Sequence, residues 1–283
     1  MKTINPHEII RIFVNKSIVP HKKRGRGRPG YPLIAIARLF VYAVLIRCLT
    51  DKGIVRHLLK RPYVVKALGL KRVPHRTTIG RWRRRHYRMM YVVFESVANM
   101  LVTFIPTKLL IVDSTPLEDH KDSDARWGVT TRGFFLGFKV HTSVNQLGLP
   151  LRCKITPGNQ HDSPHLPDLL VKSFMTLGDA GYDSRSNRYA CRCIGSRPIF
   201  ARNPRRSGKH YKTPIVLKRF RYLVEQFNSL LKEILQEVWK RYSSLGAKEC
   251  VVVSAMTAIL VVALHAILTE DFTLIRQVST FWM

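Results

Sequence analysis

Three acidic residues lie where carboxylates can do chemistry on a phosphate ester. The stretch from Lys108 to Thr115 reads Lys-Leu-Leu-Ile-Val-Asp-Ser-Thr, a short continuous apolar run that ends in Asp113. A second run from Phe174 ends in Asp179, and Glu225 lies in an amphipathic segment further on. Short apolar runs bounded by polar residues read as buried strands. Carboxylates at neighbouring strand ends can converge, and a helix beside them can supply a third. Such groups repel one another without cations, and hard oxygen donors suit Mg²⁺, with Mn²⁺ also possible. Two ions roughly 3.5–4 Å apart can activate a water or 3′-hydroxyl and stabilise the leaving oxygen of a phosphodiester.

The segment around Glu225 supports its placement on a helix. At about 100° per residue, Arg221 lies near −40° and Lys232 near −20° of Glu225, so acid and bases share one face. Phe220, Val224, Phe227, Leu231, Ile234, Leu235 and Val238 cluster about 140° away, a stripe that can be buried while Glu225 points outward. Taken alone, Arg221, Glu225 and Lys232 also fit an intrahelical ion pair on a solvated face.

The elements that must position these residues alternate in type. Strands are expected at Lys108 to Thr115, Phe134 to Val144, Leu149 to Thr156, Phe174 to Asp179 and Pro198 to Ala201. Helices are expected at His161 to Lys172, Tyr182 to Ile194 and Lys218 to Arg241. Leading strands followed by alternating helices and strands imply an α/β fold, a mixed five-stranded sheet flanked by helices. His161 and Asp162 either orient neighbours of the site or start a helix. Glu118, Asp119, Asp122 and Asp124 read as a solvated loop.

Ahead of this lies a region of different character. The 283 residues hold 48 Lys and Arg against 18 Asp and Glu, a formal net charge of +30, and 23 of the bases against three of the acids fall in residues 1–107. An excess of that size points to a polyanionic partner. Apolar spacing from Leu33 to Cys48 predicts a helix, shorter helices follow at 51–60 and 62–68, and a long helix opens near Pro74 with a Thr N-cap. Its first turns carry Arg81, Arg83, Arg84, Arg85 and Arg88, so the segment reads either as a helix-turn-helix reader or as a solvated basic face. Residues 22–32 read as an extended basic arm. Its core, Arg26-Gly27-Arg28-Pro29, resembles an AT-hook, in which arginines follow the potential of a narrow minor groove. A solvated linker fits the same residues. The basic stretch from Arg202 to Lys212, with Arg205 and Arg206 at its centre, is expected to grip a nucleic-acid backbone. These readings place an all-α DNA-binding region at 1–106 and the α/β unit at 107–283.

Five scattered cysteines argue for reduced thiols and against a zinc site. The first residues lack an apolar core with a cleavage site, which predicts a cytoplasmic, nucleoid-associated protein. Residues 250–268 are apolar enough to span a bilayer, but they follow a charged helix and are expected to be a buried helix of a protein without membrane attachment.

In order and spacing, five pieces resemble the DDE transposases of bacterial and archaeal insertion sequences, which are built on a ribonuclease-H-like core. They are Ile111-Val112-Asp113-Ser114-Thr115, Gly137-Phe138-Lys139-Val140-His141, Pro157-Gly158-Asn159-Gln160-His161-Asp162, Gly178-Asp179-Ala180-Gly181-Tyr182-Asp183, and Arg-x3-Glu-x6-Lys at Arg221, Glu225 and Lys232. The similarity covers roughly residues 108–268. One position departs from it: the family usually has Tyr three residues before the Arg, and here that residue is Lys218. The resemblance implies metal-dependent strand cleavage and strand transfer at the terminal inverted repeats of an insertion sequence. Asp113, Asp179 and Glu225 would hold Mg²⁺, and Arg221 and Lys232 would contact phosphates. Partners would be double-stranded DNA, as terminal repeats and as target, and a second copy in a homodimer. The alternative is a transposase-derived DNA-binding protein that no longer cuts.

Overall fold

In a computed structural model of the chain, the described residues are 5–15, 19, 30–130, 133–202, 211–236 and 238–282. Arg26, Arg28, Arg205 and Arg206 lie outside them. The chain divides into two compact units, one made of Met1–Leu101 with Glu233–Met283, the other of Val102–Lys232. Residues 233–283, read from sequence as part of the α/β unit, therefore group with the N-terminal helices.

The second unit holds a sheet in the order β2-β3-β1-β5-β6, with β4 also paired to β3. Its strands are β1 (Leu109–Glu118), β2 (Arg126–Thr130), β3 (Gly133–Val144), β4 (Pro150–Pro157), β5 (Met175–Gly178) and β6 (Arg197–Phe200). β1, β3 and β4 are antiparallel neighbours, whereas β5 and β6 run parallel to β1. This is the mixed α/β sheet expected, enlarged by one strand. β2 escapes a search for buried runs because Trp127 and Val129 leave its apolar side 63% and 64% exposed.

The parallel register decides what the sheet can position. Ile111 lies opposite Leu177, the last matched pair of β1 and β5. Asp113 and Asp179 each lie two residues further along, so alternation points them the same way as that pair. Asp113 is not at the end of its strand, as the sequence suggested. β1 continues to Glu118 against β3 after β5 has stopped, so Asp113 marks the place where its parallel partner ends. Gly137, in the second motif, pairs with Glu118 where the backbones come so close that a Cβ would overlap the Leu117 carbonyl.

Helices complete the unit: α6 (Leu166–Leu169), α7 (Arg185–Cys193) and most of α8 (Ile215–Leu235). α6 is a single turn where a longer helix was expected, preceded by a 3-10 turn at Ser163–His165. On α8 the stripe of Val224, Phe227 and Leu231 is buried, while Arg221, Glu225 and Lys232 are exposed, as the wheel required.

The first unit is helical. Its elements are α1 (Pro6–Phe13), α2 (Leu33–Leu45), α3 (Asp51–Leu59), α4 (Pro62–Ala67), α5 (Arg76–Phe104) up to Leu101, and α9 (Leu245–Leu268). α5 starts before the Thr residues expected to cap it. The His75 ring takes that part instead, its Nδ1 lying 3.4 Å from the Thr77 backbone nitrogen. α9 is long and apolar enough to cross a membrane, but most of it is buried within the unit. A helix apolar on every side belongs in a core, and α9 has α2 and α1 among its neighbours.

Candidate active site

Asp113 and Asp179 are brought together by the sheet. Burial and the neighbouring Asp179 push the Asp113 carboxyl up to about 7, offset in part by the Ser114 backbone and by Arg221. Asp179 caps the 3-10 turn that follows it, accepting from the Gly181 backbone N–H at 2.8 Å. Burial raises its pKa as well, against the Gly181 N–H, and the charge of Asp162 adds to the rise. Two carboxylates that resist ionisation side by side are short of positive charge.

α8 reaches this pair through Asn228, whose Nδ2 donates to Asp113 Oδ2 at 3.2 Å. Asn228 lies about 60° from Glu225 on the helix wheel, on the side of Arg221. The face chosen from sequence is therefore the face beside Asp113. Glu225 itself stays with Arg221, Nε to Oε1 3.0 Å, the two side chains 49% and 57% exposed. Among the described residues no three acidic, histidine or cysteine side chains are gathered tightly enough to hold one ion. The structure thus joins Asp113 to Asp179 and leaves Glu225 in its intrahelical pair.

Four groups that the motif reading did not assign also belong here. Lys139 Nζ donates to Asp162 Oδ1 at 3.1 Å and to the Gln160 carbonyl at 3.0 Å. The His141 ring is fully buried, its Nε2 2.8 Å from Thr156 Oγ1 and its Nδ1 3.6 Å from Asp162. Burial pulls its pKa down to about 4 despite Asp162. Tyr182 is fully buried, and among the described residues neither its hydroxyl nor Asn228 Oδ1 has a hydrogen-bond partner. Buried polar atoms of this kind normally find partners. Alternation along β3 puts Lys139 and His141 on one side and was the available signal for them. Asn228 could have been found on the same wheel as Glu225.

A divalent cation fits this donor set. Hard oxygens of Asp113 and Asp179, together with unpartnered buried oxygens at Asn228 and Tyr182, provide the charge and lone pairs it requires. Glu225 would have to exchange Arg221 for the ion to join them.

In the helical unit Arg81, Arg84 and Arg85 are exposed on α5. Arg81 and Arg84 line a cleft with Lys52, Arg76, Thr77, Gly80 and Asp51, a positively charged surface suited to phosphates. Arg83 differs from its neighbours, for it points inward and is buried.

The Transposase DDE domain profile matches residues 105–261, more than half of the chain, and spans the whole sheet and α8. The chain belongs to this transposase family. A second profile, Transposase domain (DUF772), matches residues 3–85 in the helical unit. A curated relative, the transposase for insertion sequence element IS1106 of Neisseria meningitidis serogroup B, is 32% identical over 137 residues. That alignment covers 40% of this chain and 46% of the relative, so the chain matches about half the length of the relative. No solved structure matches the transposase.

Proposed function

We propose that this transposase cleaves DNA strands and joins them to a target at the terminal inverted repeats of an insertion sequence, using a divalent cation. The observation that carries the reading is the approach of Asp113 on β1 to Asp179, just past the end of the parallel β5, with α8 tied to Asp113 through Asn228. Asp113, Asp179 and Glu225 would hold Mg²⁺ or Mn²⁺. When bound, the ions would supply activation of the attacking oxygen and stabilisation of the leaving one. Arg221 and Lys232 line the exposed face of α8 and would bind phosphates flanking the scissile bond. The helical unit would hold the repeat through Arg81, Arg84 and Arg85, aided by Arg26 and Arg28 of the arm and by Arg205 and Arg206. Two ends must be brought together for joining, which fits a homodimer on DNA at the nucleoid.

The test is cleavage of an end-labelled duplex carrying the element's terminal repeat, in Mg²⁺ and in EDTA. The expected result is a Mg²⁺-dependent nick at the repeat boundary. A protein that binds the ends and never cuts them would instead be the inactive DNA-binding descendant. Binding itself should weaken steeply with salt, because each neutralised phosphate releases counterions. With six to ten contacts, affinity should fall about 10³- to 10⁵-fold between 50 and 200 mM salt. A flat response in a filter-binding titration would remove the electrostatic account.

A further inference from the structure

Asp162 sits in the loop after β4, and its surroundings set it apart from the other acidic residues of the unit. Its Oδ1 accepts from Lys139 at 3.1 Å and lies 3.6 Å from the buried His141 ring. Its Oδ2 lies 3.8 Å from the point where a Cβ on Gly181 would stand, and Asp179 Oδ1 lies 3.0 Å from the same point. The absent side chain at Gly181 therefore leaves space that both carboxylates border. Tyr182, next in sequence, provides an independent sign of a ligand. Its hydroxyl is fully buried, has no hydrogen-bond partner among the described residues, and has Asp162, Asp113 and Asp179 as its charged neighbours.

We propose that Asp162 is a further acidic residue of the Asp113 and Asp179 site, and that its carboxylate helps to hold the divalent cation. This rests on the reading of that site as a cation centre. Mg²⁺ usually keeps several of its waters, so Asp162 can act through the hydration shell once the cation takes over from Lys139 as its counter-charge. The buried tyrosine hydroxyl then has an acceptor within the hydrated site. Asp162 is 20% exposed and Glu225 57%, so Asp162 is the more enclosed of the two and the one that lies near Asp179.

The experiment is a titration of the full chain with Mn²⁺ alone, read as loss of the free-ion electron paramagnetic resonance signal, with metal-free melting curves as the folding control. Asp162→Asn should weaken Mn²⁺ binding about 10- to 100-fold, the range found when supporting groups of metal sites are removed. Asp162→Glu should keep most of the affinity. Lys139→Gln breaks the same ion pair from its other side. A purely structural role for that pair predicts that Lys139→Gln and Asp162→Asn lose Mn²⁺ alike. The proposal predicts that Lys139→Gln binds Mn²⁺ at least as tightly as wild type, because a positive charge has left the site. If Asp113→Asn loses Mn²⁺ while Asp162→Asn matches wild type, the role of Asp162 is overturned and the cation centre stands. If neither substitution changes binding, the cation centre falls with it.

Discussion

Asp113→Asn should lower the rate of Mg²⁺-dependent strand cleavage by at least about 10³-fold and, at pH 8, make the metal-free protein more stable. The first effect follows from losing a carboxylate that holds an ion contributing several kcal/mol to the transition state, at about 1.4 kcal/mol per factor of ten. The second follows from the pKa of about 7 against an ordinary value near 3.9 in the unfolded chain. A carboxyl whose pKa is raised on folding holds its proton more tightly in the native state. As pH rises from about 4 to 7 the unfolded chain ionises first, so this site loses stability across that window and carries a constant penalty above it. Asparagine has no proton to lose and can still accept from Asn228. The gain should be on the order of 2–4 kcal/mol at pH 8 and close to nothing at pH 4. Thermal melts in EDTA should thus separate the two proteins by several degrees at pH 8 and superimpose at pH 4. Equal melting at pH 8 would mean that Asp113 ionises there without cost and that the crowding of charge inferred around it is absent.

The parts of this site visible in the sequence are those set by local periodicity. Asp113 and Asp179 were legible because each follows a run of buried residues on one strand. The outward face of α8 was legible because Val224, Phe227 and Leu231 define its inward face. Asp162 was not. It lies in an irregular segment, and what draws it to Asp179 is the approach of Lys139 on β3 and a missing side chain at Gly181, neither of which has a period. Asp119 shows the same limit from the opposite direction, since its run of acidic residues reads as a solvated loop and yet it is 1% exposed. The unit to which α9 belongs was also hidden. A helix apolar on all sides announces that it is buried and carries no directional information about its partners, so burial was foreseen and the grouping with α1 and α2 was not. Such limits shape the chemistry too. The wheel places Glu225 on the right face and allows an ion pair with Arg221, one turn away, and the structure shows that pair formed.

Arg83→Ala should destabilise the protein by about 3–5 kcal/mol, whereas Arg84→Ala, one residue along, should leave melting nearly unchanged and weaken DNA binding. Net charge alone counts both among the basic groups of α5. Helical periodicity separates them, because Ile79, Trp82 and Arg83 lie on the buried side while Arg81, Arg84, Arg85 and Arg88 face outward. Arg83 is 1% exposed. Its Nε donates to Asp51 Oδ1 and its Nη2 to the Leu49 carbonyl, each at 3.0 Å. The guanidinium lies 4.7 Å from the Phe40 ring centre and 4.9 Å from that of Tyr242. Tyr242 closes the network by donating to the Leu49 carbonyl at 2.8 Å. Four segments far apart in sequence thus meet at one charge. Truncating it leaves Asp51 without its cation and a cavity between two aromatic rings, and breaking one partner of a buried ion pair costs about the amount stated. The double variant Arg83→Met with Asp51→Asn should recover much of the loss, because both charges leave together and the methionine fills the space. If instead Arg83→Ala melts with the wild type while Arg84→Ala does not, the assignment of which arginine is internal is reversed. The basic surface attributed to α5 would then have to be rebuilt around a different face.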